Sequence, residues 1–264
     1  MAGPVIDGIE TTIDAFHRDG FRLVQPARGA HRSGIDAMIL AASLPDGFSG
    51  TLADLGAGAG AAAFAVLDRY PRATAVLYEK SPLMAACARA GLALEGNEHL
   101  KDRAQVIEAD VSLDGKAREA AGLPRERHDW VIANPPFNDP RDRATPDPEK
   151  AGAHVMQPDL LTRWIKTACA IARPGAGLSI IARPQSVVEI LEAMKRRYGA
   201  ISVLPIHPRA SKPAIRIVVC GIKGSRKPME LAPPLFLHED DGGRKVTARA
   251  YAVTNGKAAL NPWQ

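Results

Sequence analysis

Thr51-Leu52-Ala53-Asp54-Leu55-Gly56-Ala57-Gly58-Ala59-Gly60 is the stretch on which the fold turns. Its first half is a short apolar run with one acid and reads as a buried strand. Its second half places a glycine at every second position, and Ala61 to Tyr70 then reads as a helix. Glycine lets the backbone turn tightly and lets a ligand approach where a side chain would clash. The spacing is Gly-x-Gly-x-Gly, which differs from the Gly-x-Gly-x-x-Gly of dinucleotide-binding folds. Taken alone, such a turn also suits a purely structural strand-to-helix connection.

Strand and helix patterns continue to alternate outward from this point. Strands are expected at Ala73–Tyr78, Ala104–Glu108, Asp129–Ala133 and Gly177–Ala182, with two closing strands at Ile201–Pro205 and Ile215–Ile222. Helices are expected at Pro82–Leu94 with Ser81 as N-cap, near 116–121, from Pro158 to Ala172, and at Gln185–Tyr198. The alternation predicts an α/β, doubly wound, seven-stranded and mostly parallel sheet. The last two strands lack a long helix between them, so an antiparallel C-terminal hairpin is expected there. Residues 1–49 read as a preface with a helical piece near 9–15, a hairpin around Gly20 to Arg32, and a helix from Asp36 to Ser43. Residues 223–264 are turn-rich and are expected to pack on the 50–222 core, giving one domain over 1–264.

A chain of 264 residues with 46% hydrophobic residues can bury a full core. No stretch approaches the ~20 apolar residues that span a bilayer, and the N-terminus has no basic-then-apolar leader pattern, so a cytoplasmic location is expected. Cys87, Cys169 and Cys220 form neither a metal spacing nor a disulfide framework, and no histidine or acid pair has metal-site spacing. The net charge of +5 is uneven: residues 193–229 hold nine basic residues and no acid, leaving −4 for the remainder. Such a block is a solvated face or a surface for a polyanion.

Three further features sit at predicted strand ends. Glu79 follows the second strand, 19 residues after Gly60, where a carboxylate can accept hydrogen bonds from a ribose. Asp110 follows the third. Asn134-Pro135-Pro136-Phe137 follows the apolar run Trp130-Val131-Ile132-Ala133. A side-chain amide, two stiff prolines and an aromatic ring suit the holding of a flat, polar nitrogen group. Pro233-Pro234-Leu235-Phe236 has a similar outline but lacks the asparagine. Acids at strand ends also serve as helix caps, and Asp139, His154 and His207 read as structural.

Together, Asp54-x-Gly-x-Gly-x-Gly60, Glu79, Asp110 and Asn134-Pro-Pro-Phe137 resemble the class I S-adenosylmethionine-dependent methyltransferases, within the small methyltransferase group. The resemblance covers residues 51–222 in order, with small alanines after Gly60 as a minor departure. It implies S-adenosyl-L-methionine as cofactor. The Gly56–Gly60 turn would lie under its methionine part, with Asp54 beside it, Glu79 on the ribose and Asp110 beside the adenine. Asn134 and the Pro135 carbonyl would accept the hydrogens of an exocyclic amine, and Phe137 would stack on its ring. Gln25 to Ala42, with Gly34-Ile35-Asp36-Ala37-Met38-Ile39-Leu40, is similar to the segment before the glycine motif in bacterial tRNA1(Val) (adenine-37-N6)-methyltransferases. That similarity implies Gly34 and Asp36 near the cofactor, adenine N6 of tRNA as acceptor, and RNA as partner through a surface including 193–229. Glutamine methylation of release factors uses a related motif after a helical domain, for which the 50-residue preface is short. Guanine N2 methylation of ribosomal RNA is the other alternative.

Overall fold

The computed structural model describes residues 1–28, 33–136 and 159–262. Phe137 and the polar 138–157 loop, with Asp139 and His154, lie outside the described residues. The central strands are β3 (Thr51–Leu55), β4 (Thr74–Glu79), β5 (Ala104–Glu108), β6 (His128–Ala133), β7 (Ala172–Ala182), β8 (Tyr198–His207) and β9 (Arg216–Lys223). They stand in the order β8-β9-β7-β6-β3-β4-β5. β3, β4, β5, β6 and β7 run parallel, and β9 is antiparallel to both β7 and β8. This is a doubly wound mixed sheet with an antiparallel C-terminal pair, as the alternation of patterns predicts. Two short strands, β10 (Glu230–Leu231) and β11 (Leu235–Phe236), extend it to nine by pairing with β8. Two-residue strands carry too little pattern to be read from sequence.

Helices cover both faces. α1 (Ile35–Ala41), α2 (Ala61–Arg69), α3 (Pro82–Leu92), the short α4 (Glu98–Lys101) and the C-terminal α8 (Ala248–Thr254) pack on one face, around Phe64, Leu67, Leu77 and Leu40. α5 (Gly115–Ala120), α6 (Leu160–Ile171) and α7 (Val187–Met194) pack on the other, around Ile165, Leu178, Ile180 and Val131. Each buried Leu or Ile contributes roughly 1.5–3 kcal/mol of transfer free energy. That explains why β3 and β6, apolar on both faces, occupy the middle of the sheet. Ser81 caps α3 as expected, its hydroxyl accepting from the Met84 amide. β7 lies against β6 at a glycine: a Cβ on Gly177 would fall 2.3 Å from the Trp130 indole, whose N–H donates to Ser179.

The preface differs from its sequence reading. The expected helical piece near 9–15 is a strand, β1 (Thr11–Phe16), paired antiparallel with β2 (Phe21–Pro26). Thr11, Thr12 and Ile13 are β-branched and favour the extended chain, and pairing lets the hairpin seat Phe21, Leu23 and Val24 in the core. The turn falls at His17, Arg18 and Asp19, all with positive φ, so the hairpin begins earlier than Gly20. At the other end, α7 stops at Met194 and Tyr198 already belongs to β8, because Arg196 turns left-handed (φ 63°) between them.

Candidate functional site

The sheet has one topological switch point. β4 and β5 lie to one side of β3, while β6 and β7 lie to the other. Ligands of open parallel sheets bind beyond the carboxyl ends of strands at such a point. Here the register is shared: Leu55 pairs with Tyr78 on β4 and with Ala133 on β6. Glu79, Gly56 and Asn134 therefore leave the edge side by side, from strands spaced about 4.8 Å apart. The sequence motifs, up to 78 residues apart, are brought to one line.

The glycine turn is tied to the end of β4 by three amides. The Gly56 and Ala57 amides both donate to the Tyr78 carbonyl, at 2.8 and 3.1 Å, and the Gly58 amide donates to Glu79 Oε2 at 2.8 Å. Gly56, Gly58 and Gly60 all have positive φ, at 66°, 57° and 92°, a region costly for other residues. A Cβ on Gly60 would strike Phe64 and Leu77, whereas one on Gly58 would meet only Met84 Cε at 3.6 Å. Gly58 thus faces the roomier side of the turn. Behind it, the Tyr78 hydroxyl lies 3.0 Å from His128 Nε2 in the core, and burial pushes His128 down to about 4.

Asp54 sits beneath the turn, 2% exposed, with Oδ2 accepting from the Ala63 amide in the first turn of α2. Burial pushes its carboxyl up to about 7; the Ala63 bond opposes this and the Glu79 charge adds to it. Among the described residues no cation pairs with Asp54. A buried carboxylate without a counter-charge, next to a roomy glycine turn, fits a ligand that brings positive charge. Glu79 also ties the turn to the start of α3, its Oε1 accepting from Ser81 N at 2.7 Å. Asp110 accepts from the Ser112 amide and hydroxyl through Oδ1, and its Oδ2 lies 2.6 Å from Lys80 Nζ. Burial raises the Asp110 carboxyl, but the Lys80 and Ser112 contacts outweigh it and hold it below the usual carboxylate range. Across the switch point Asn134 is half-buried, Pro135 buried and Pro136 exposed.

Two neighbours of these residues carry no motif in the sequence. Lys80 closes on Asp110. The indole of Trp164, on α6, presses on the glycine turn so closely that a Cβ on Gly56 would lie 2.4 Å from its Cη2. Conversely, Asp36 does not stand free: it pairs with Arg216 Nε at 2.8 Å, so α1 begins over the β9 end of the edge. Gly34 is the N-cap of α1, without a side-chain cap.

The basic segment divides between the two edges of the sheet. Arg209, Lys212 and Arg216 lie in or beside the β8–β9 connection, at the same edge as Asn134. Lys195, Arg196, Arg197, Lys223, Arg226 and Lys227 flank the opposite ends of β8 and β9. Of the first three, Arg209 donates to the Glu239 and Gly243 carbonyls and Arg216 holds Asp36, while Lys212 is exposed. A shallow hollow of about 300 Å³ between Asp46–Phe48 and Arg69–Arg72 also lies at the opposite edge, where it joins none of the acids, glycines or amide above. No described helix is long and apolar enough to cross a membrane, and no described cluster of His, Cys, Asp or Glu suits a metal ion.

Fold, switch point and charged turn define a class I methyltransferase architecture. The model of the methyltransferase small domain family matches residues 32–205, and the chain belongs to that family. Its family and architecture are those of methyltransferases. The chain is similar to the tRNA1(Val) (adenine(37)-N6)-methyltransferase of Porphyromonas gingivalis, at 28% identity over 177 residues. That match spans 66% of this chain and 66% of the relative, just short of two thirds of its length. A crystal structure from Agrobacterium tumefaciens, described as a predicted O-methyltransferase, is 42% identical with a TM-score of 0.74, covering 85% of this chain and 97% of that one. The T. thermophilus 16S rRNA N2 methyltransferase, solved with AdoMet and guanosine, shares the fold at 21% identity and a TM-score of 0.53, covering 84% and 50% of the two chains.

The state of Asp54 can be read from stability. Its folded carboxyl, near 7 against 3.8 unfolded, keeps a proton that the unfolded chain has lost, so its contribution falls as pH rises from about 4 to 7. His128 acts in the opposite sense: near 4 folded against 6.5 unfolded, its contribution rises with pH between those values. Comparison with Asp54→Asn, which keeps an acceptor for Ala63, cancels the histidine. Urea denaturation should show the variant gaining on the wild type from pH 4 to 7.5, by up to about 4 kcal/mol. A difference that does not change with pH would contradict the buried, uncompensated carboxylate.

Proposed function

We propose that the chain works as one methyltransferase unit that methylates an exocyclic amine in RNA, with adenine N6 of a tRNA as the acceptor. The observation that carries this reading is the shared register that sets Asn134 beside Gly56. Asp54, Gly56, Gly58, Gly60, Glu79 and Asp110 form the donor half; Asn134, Pro135, Pro136 and Phe137 form the acceptor half. S-adenosyl-L-methionine supplies a methyl group on a positively charged sulfur. The carboxylate of Asp54 offsets positive charge, the glycine turn lets the donor lie against backbone, and Glu79 offers acceptor lone pairs to a ribose.

An aromatic amine is a weak nucleophile because its lone pair is delocalised into the ring. The Asn134 side-chain oxygen and the Pro135 carbonyl accept its two hydrogens, which turns the lone pair out of the ring plane. The amine nitrogen then bonds to the methyl carbon as the carbon–sulfur bond breaks, that pair returning to sulfur, and one N–H proton passes to solvent. Fixed acceptors need no reorganisation as charge shifts, and alignment of the two partners lowers the barrier further. Pro135 and Pro136 have no amide hydrogens to compete for those acceptors. Two acceptors match an amino group, which presents two hydrogens; a hydroxyl presents one. This favours nitrogen over the oxygen acceptor in the description of the Agrobacterium relative. The name of the Porphyromonas relative supports adenine and tRNA.

Segregation of charge supports a polyanionic acceptor. The acids Asp54, Glu79 and Asp110 lie over β3, β4 and β5, while the exposed Lys212 lies on the β9 side of Asn134, beside the Arg216–Asp36 pair. Incubation with tritiated donor and separate tRNA, rRNA, DNA and release-factor pools should label tRNA, with N6-methyladenosine found by nucleoside mass spectrometry. Asn134→Ala should lower transfer by about 10²–10³-fold while donor affinity stays within about threefold. Equal loss of both would make Asn134 part of the donor pocket instead. Lys212→Ala should weaken tRNA binding and reduce the salt slope by about one phosphate, whereas Arg226→Ala, at the far edge, should leave both unchanged. The reverse pattern would move the RNA to the opposite edge.

A further inference from the structure

We propose that Trp164 is a donor-contacting residue of the site: its indole fixes the Gly56 turn from the α6 side and lines the methionine end of the bound methyl donor. The inference rests on the assignment of the Gly56–Gly60 turn to the donor. No motif marks Trp164, and it belongs to a different helix from any of the residues that do.

The geometry separates this side chain from an ordinary core aromatic. Trp164 is only half-buried, and it packs at the margin of the core cluster around Leu161, Ile165 and Ala168. Its inner edge nevertheless reaches past that cluster to the backbone of Gly56: a Cβ there would lie 2.4, 3.1 and 3.3 Å from Cη2, Cζ3 and Cζ2. Gly56 thus carries two independent demands for glycine, its φ of 66° and the ring against it. On the far side its amide is tied to the Tyr78 carbonyl. The turn is clamped between β4 and the indole, and any group resting on Gly56 also meets the ring.

The chemistry of the donor suits such a wall. Its methionine end carries an ammonium and a sulfonium, and the face or rim of an indole can stabilise a cation by cation–π attraction when water is excluded. Asp54 supplies the formal negative charge beneath the same turn, so carboxylate and indole bracket the cation from two sides. Phenylalanine at 164 would keep an apolar ring in the α6 face but is too short to bring the edge to Gly56.

Calorimetry and tryptophan emission measured on the same titration test the proposal. With S-adenosyl-L-methionine the wild type should give binding heat and a saturable emission change with one midpoint. Trp164→Phe, checked for an unchanged fold by circular dichroism, should still give heat but bind about tenfold more weakly and lose the emission change. Trp130 and Trp263 remain in both proteins, so the difference belongs to Trp164. The affinity loss should be smaller for S-adenosylhomocysteine, which lacks the sulfonium charge. On the wild type alone, saturating donor should shield the half-exposed indole from acrylamide quenching, so the test survives a variant that fails to fold. Unchanged affinity with the emission change retained in Trp164→Phe, or unchanged acrylamide quenching in the wild type, would overturn the proposal. Absence of heat with the wild type would overturn the donor turn itself, and the proposal with it.

Discussion

The pairing of Leu55 with both Tyr78 and Ala133 is the constraint on which the rest of the molecule depends. Three parallel strands end level with one another, so whatever follows each of them emerges at the same height. A one-residue slip on β6 would turn Asn134 to the other face of the sheet and carry it away from Gly56. Burial on both faces prevents that slip, because Trp130 to Ala133 and Leu52 to Leu55 lie in the core. The hydrophobic interior thus fixes the alignment of polar groups that do not themselves contribute to it.

Electrostatics then gives the edge its two halves. Asp54 is buried at a cost, since its carboxyl rises to about 7 and has only a backbone amide as partner among the described residues. Such a group is poised for a cation. Asp110 and Lys80 neutralise each other at the rim, and Glu79 accepts from the Gly58 amide of the turn and from the Ser81 amide at the start of α3. On the other side of the switch point Arg216 is paired with Asp36 and Arg209 lies near Asp241, while Lys212 of the β8–β9 connection is exposed. The division follows from topology: β8 and β9 return the chain so that the connection carrying Lys212 falls at the reactive edge.

Much of this was legible in the sequence, for physical reasons that differ between elements. The glycine turn, Glu79, Asp110 and the Asn-Pro-Pro stretch are local patterns at the ends of apolar runs, and the alternation of periods fixes which runs are strands. A hairpin was expected around Gly20 to Arg32, but β1 was not legible as its first strand, because a six-residue segment with polar neighbours fits either period and pairing decides it. β10 and β11 are too short for any pattern. Contacts between distant residues leave no trace in one sequence: Trp164 on Gly56, Arg216 on Asp36, Lys80 on Asp110. The basic block appeared continuous in the chain, yet an antiparallel pair places its two parts at opposite edges.

A methyl donor bound across the ends of β3 and β4 would have Asn134 at its margin. Backbone and side-chain amide spectra of the ¹⁵N-labelled protein, recorded during titration with S-adenosyl-L-methionine, test this placement most directly. The largest shifts should fall on Gly56, Gly58, Gly60, Glu79 and Lys80, with the Asn134 side-chain amide moving as well. Shifts concentrated at the opposite edge, around Phe48 and Arg69 to Arg72, with the glycine turn unmoved, would contradict this placement.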